Sequence, residues 1–63
     1  MYHARKMRLD EFKTQAEHLA KDGKGRPCHY AVEAENGHTL PGLSWEQACN
    51  AAEKMNQQML EAA

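Results

Sequence analysis

The apolar positions of this chain change their period twice. Leu9, Phe12, Ala16, Leu19 and Ala20 recur at helical spacing. Asp10 is placed to cap this first helix and Gly23 to stop it, which predicts a helix within residues 9–23. Pro27 lacks an N–H and biases Arg26 toward extended backbone, so the helix cannot continue. From Cys28 the period is two. Cys28, Tyr30, Val32 and Ala34 point one way and His29, Ala31, Glu33 and Glu35 the other, the signature of a strand with one wet face. After Ser44 the helical period returns. Trp45, Ala48, Cys49, Ala52, Met55 and Met59 share one face, and Glu46, Asn50, Glu53, Gln57 and Glu61 the opposite one. Ser44 and Gln47 form a capping box, with Leu43 and Ala48 placed as its staple. Asn56 falls on the apolar stripe and Leu60 at its margin.

Between the strands, Asn36-Gly37 permits two registers. A two-residue turn sets Glu33 opposite Leu40 and puts a leucine on the charged face. A type I turn over residues 34–37, with Gly37 left-handed in a bulge, sets Ala34 opposite His38 and Val32 opposite Leu40. The second register keeps the apolar face whole and is the one expected. Pro41 and Gly42 then end a short second strand.

The predicted order is helix, strand, strand, helix: an α+β fold in which a two-stranded antiparallel hairpin packs on two helices in one domain spanning residues 1–63. Residues 1–8 are expected to be a flexible basic arm, although His3, Arg5, Met7 and Leu9 alternate weakly enough to form a third strand. Ten of the apolar residues are alanine, isoleucine is absent, and only one valine and one phenylalanine occur. A chain of 63 residues with so little bulky apolar material has a thin core. Two cysteines allow at most one bridge, and both are expected to be small core residues. A homodimer is the remaining route to stability. It would form through strand edges or through the last helix at Met55, Asn56, Met59 and Leu60, where a polar residue in the seam can set register.

Charge is two-signed. Residues 1–27 carry seven basic groups and four acids, and residues 28–63 one lysine and five acids. That pattern fits neither a general polyanion binder nor a polyanion mimic. The charged opening lacks an apolar core for a signal peptide and no stretch is long enough to span a membrane, so a cytoplasmic protein is expected.

Little catalytic chemistry is legible. Cys28, His29, His38 and Cys49 do not have zinc-ligand spacing, because adjacent residues on a strand face opposite ways. Ser44 serves as a cap, and no nucleophile stands beside an oriented base. No enzyme activity, cofactor or metal is expected. The loop "DGKGRP" offers backbone N–H groups but lacks the spacing of a phosphate-binding loop, and reads as a solvated helix terminator. Helix, antiparallel strands and a last helix opening at Ser44 resemble in outline a shortened double-stranded RNA-binding domain. In that family lysines at the start of the last helix contact phosphates, whereas Trp45, Glu46 and Gln47 stand there in this chain.

The reading reached by elimination is a small, non-enzymatic protein-interaction module: an adaptor, inhibitor or regulator, of the size of phage or mobile-element products, that occludes a surface on a larger protein. Its candidate contacts are the basic residues Arg5, Lys6, Arg8, Lys24 and Arg26 and the acidic helix face Glu46, Glu53 and Glu61. Nucleic-acid binding or transcription regulation through the basic arm is the alternative.

Overall fold

The computed structural model describes residues 1–62 and contains three antiparallel strands and two α-helices. Strand β1 is Tyr2–Lys6, helix α1 Gln15–Leu19, strand β2 Tyr30–Ala34, strand β3 Thr39–Leu43 and helix α2 Trp45–Ala62. The strands lie in the order β1-β2-β3 with β2 in the centre. The opening residues are therefore an edge strand rather than a loose arm. They raise the sheet from the expected two strands to three.

β1 pairs with β2 in continuous register, Tyr2 opposite Ala34 and Lys6 opposite Tyr30. The Met7 N–H extends the ladder to the carbonyl of His29 at 2.8 Å. Across the hairpin, Val32 stands opposite Leu40, the register that keeps the apolar face together. Ala34 donates to His38 (2.8 Å), Gly37 donates back to Ala34 (3.0 Å), and Gly37 has φ +91°, where a side chain would be strained. Pro41 and Gly42 do not end β3 as expected. They form a bulge between the Val32–Leu40 and Tyr30–Leu43 pairs, and Gly42 takes φ +79° to make it. Proline is tolerated there because β3 is an edge.

α2 packs on the face bearing Tyr2, Ala4, Tyr30, Val32 and Leu43. The centre of the core is Val32, 1% exposed, against Ala48 and Ala52, with Ala51 and Met55 at its margin. Small side chains let the helix backbone approach the sheet closely, but each buries little area. The Ser44–Gln47 capping box forms as predicted: Gln47 N–H donates to Ser44 Oγ (3.3 Å) and Ser44 N–H to Gln47 Oε1 (3.1 Å). Asn56, on the helix's apolar stripe, accepts from the Tyr2 N–H at 2.8 Å and donates to the Tyr2 carbonyl at 3.1 Å.

The first helix departs most from its predicted form. A short 3-10 turn at Leu9–Glu11 is followed by extended Phe12, and α1 starts only after Thr14, whose Oγ1 accepts from Glu17 N–H at 3.1 Å. Leu9 and Leu19, two residues of the expected apolar face, are 80% and 64% exposed. A helix of this length holds only if its stripe is packed, and α2 already covers the apolar face of the sheet. The Glu11 carboxylate instead folds back to accept from the Arg8 N–H at 2.8 Å and to meet Arg5, ending the turn. The other sheet face is not uniformly wet: Ala31, opposite Arg5, is fully buried.

Candidate interaction site

The segment joining α1 to β2 is built around Asp22. Its N–H donates to the Arg26 carbonyl, and its Oδ1 accepts from the N–H groups of Lys24 and Arg26, all at 2.9 Å. The Arg26 N–H, aided by the Ser44 hydroxyl and the Lys24 N–H, holds the Asp22 carboxyl below its ordinary range although burial opposes this. The turn docks on the start of α2, where Lys24 and Arg26 both bond the carboxylate of Glu46. The sequence "DGKGRP" is thus a folded turn that turns its charges onto its own helix.

Beside that turn lies a groove of about 280 Å3 lined by Lys6, Arg26, Pro27, His29, Tyr30 and Trp45. Trp45 was expected on the buried stripe but is 54% exposed. It sits in the first turn of α2, at the end of the sheet, and packs edge-on against Tyr30 with ring centroids 5.0 Å apart. The His29 ring, which also lines the groove, is fixed: Nε2 lies 2.9 Å from the His18 carbonyl, which can only accept, and the ring meets Phe12 edge-on and His18 at a tilt. Asp22 of the turn and Glu46 of α2 line the adjoining pocket, which shares Arg26, and do not line the groove.

The candidate contacts named from the sequence fall into separate places. Arg5 faces inward, bonding Glu11 through both terminal nitrogens at 2.8 Å and Glu33 through Nε at 2.9 Å. Arg8 is exposed, within 4.0 Å of Asp10 and Glu11. Lys24 and Arg26 are engaged by Glu46. Lys6 is exposed and makes no ion pair among the described residues. Glu53 and Glu61 are exposed on α2. Of the residues named for a dimer contact, Met55 packs on the core and Asn56 bonds β1, whereas Met59 and Leu60 are 50% and 74% exposed. Trp45, Tyr30, Pro27 and His29 were not singled out as contacts. The available signal was that Trp45 directly follows the cap, where a bulky side chain can project beyond the packed layer.

Cys28 and Cys49 are free thiols, and among the described residues no three His, Cys, Asp or Glu side chains gather as metal ligands. No helix among those residues is long and apolar enough to cross a membrane.

The Arg5 network makes stability acid-sensitive. Hydrogen bonds from the Arg5 guanidinium and the Arg8 N–H hold Glu11 down from its ordinary 4.5 to about 2. A lowered folded-state value means that the stabilisation is complete above pH 4.5 and drains away as pH falls toward 2. Melting followed by circular dichroism should show the midpoint falling through this window. Glu11→Gln should start from a lower midpoint at neutral pH and lose less on acidification. A parallel pH dependence in the two proteins would refute the assignment.

Comparison of the chain with protein-family models, with curated proteins and with solved structures found no match.

Proposed function

We propose that this chain is a small non-enzymatic protein-interaction module, an adaptor or inhibitor that works by covering a surface on a larger protein. The observation that carries the reading is the half-exposed Trp45, braced by Tyr30 in an open groove. Rigid aromatic side chains presented in this way are preferred anchors of protein interfaces. The distribution of basic groups supports the same choice. Arg5, Lys24 and Arg26 bond carboxylates of their own chain, so these three of the basic residues named as contacts are already engaged and do not form an open stripe along successive phosphates.

Self-association belongs to the same reading. The thin core favours it, and the sheet edges are poor routes: Asn56 occupies the outward backbone groups of Tyr2, and Pro41 with its bulge interrupts β3. The end of α2, with Met59 and Leu60 exposed, is the better contact for a second copy. The test is capture by the tagged chain from a nuclease-treated lysate of its source cells, with light scattering of the purified protein. A defined nuclease-resistant partner, lost with Trp45→Ala, and a mass near twice 7.1 kDa are expected. Loss of all binding on nuclease treatment would instead favour nucleic acid, and a monomeric mass would remove the dimer.

A further inference from the structure

We infer that the groove between β1, the Asp22 turn and the start of α2 receives a partner segment carrying a carboxylate beside a large apolar side chain; this rests on the interaction-module reading above. The walls supply both halves of that chemistry. Pro27, Tyr30 and Trp45 form an apolar, aromatic surface, while Lys6, Arg26 and His29 are the remaining lining residues, and no carboxylate lines the groove. Lys6 is the group left to use. Arg26 is held by Glu46 and Asp22, and His29 by the His18 carbonyl, whereas Lys6 is exposed and makes no ion pair among the described residues. It stands opposite Tyr30 in the β1–β2 ladder, and Trp45 packs on Tyr30, so all three residues contribute to one groove wall. A bound carboxylate would meet Lys6 at the rim while its apolar neighbour displaces water from the indole face.

The same count separates an acidic peptide from a nucleic acid. Polyanion affinity grows with the number of phosphates neutralised, and a strand leaving this groove past the Asp22 turn would meet Lys24 and Arg26 already bonded to Glu46. One free lysine is enough for a single carboxylate. It gives a polyanion almost no counterion release.

The experiment uses the full chain and a capped, fluorescein-labelled peptide, Gly-Ser-Glu-Glu-Leu-Phe-Gly-Ser, read by anisotropy. Its controls are the same peptide with Gln for both Glu and an oligothymidylate of about ten nucleotides, within the size range of single-strand sites. Saturable binding of the acidic peptide is expected, weakened about tenfold in the Gln peptide and about tenfold by Lys6→Glu, as for loss of one charge-assisted contact. With unlabelled peptide, binding should also shift the emission of Trp45, the only tryptophan. Trp45→Ala should weaken binding by at least about tenfold. Because it also removes the packing on Tyr30, the exposed Lys6→Glu change is the decisive variant, with Lys54→Glu on α2 as the charge control. Equal affinity for the Glu and Gln peptides, no effect of Lys6→Glu, or no peptide binding would overturn the inference. Tighter, steeply salt-dependent binding of the oligonucleotide would overturn it in favour of nucleic acid. A cellular partner still captured by the Lys6→Glu chain would remove the groove while leaving the interaction module standing. Absence of any such partner for the unaltered chain would remove that reading itself.

Discussion

Asn56→Ala is expected to lower the unfolding free energy by about 2 to 3 kcal/mol, through the loss of two hydrogen bonds and the exposure of their backbone partners. The side chain donates to and accepts from the same residue, Tyr2, so one truncation strands an N–H and a carbonyl together. For a domain of this size total stability is on the order of 3 to 9 kcal/mol, and the loss is a large part of it. Denaturant titration should show the lowered midpoint, and hydrogen exchange should show faster opening confined at first to β1. The unmasked edge should also make the variant self-associate more strongly, because backbone groups capped by Asn56 become free to pair with another strand. Unchanged stability, or protection lost first in β2, would contradict the role assigned to this side chain.

Val32→Ala is expected to cost about 2 to 3 kcal/mol from two lost methyl groups and the void they leave. Among the described residues Val32 is the only large apolar side chain buried to 1%, and the buried groups facing it from α2 are Ala48 and Ala52, with Met55 at the margin. The two buried alanines have no rotamer to swing into a void, so relaxation would have to come from the helix as a body or from Met55 at the margin. The variant should melt early and lose native near-ultraviolet dichroism. Leu40→Ala, at the cross-strand position paired with Val32 but 36% exposed, should cost much less. Similar losses for the two would mean that the core is not centred on Val32.

These two positions also explain what could be read in advance. The β2–β3 register was legible because an Asn-Gly turn has few geometries and only one kept Val32 with Leu40 on the apolar face. α2 was legible because a capping box and a long amphipathic stripe are local signals, and both reappear in the fold. The first helix shows the limit of the same method. Its stripe has helical spacing, yet α2 already covers the apolar face of the sheet, and the turn broke at Glu11 and restarted at Thr14.

By itself the sequence determined the properties that neighbouring residues settle among themselves: the hairpin turn, the capped α2 and its buried alanine face, and a core too small to tolerate loss. Tertiary structure decided what depends on distant partners. β1 exists because Tyr2–Lys6 pairs with a strand far along the chain, and Asn56 has a role because folding brings it to Tyr2. Trp45 is open because the sheet ends beside it, and Arg5 and Arg26 are occupied because Glu11, Glu33 and Glu46 arrive next to them. Periodicity records which face of an element is apolar, but whether that face finds a partner, and which charges are cancelled on the way, depends on contacts between residues that share no local pattern.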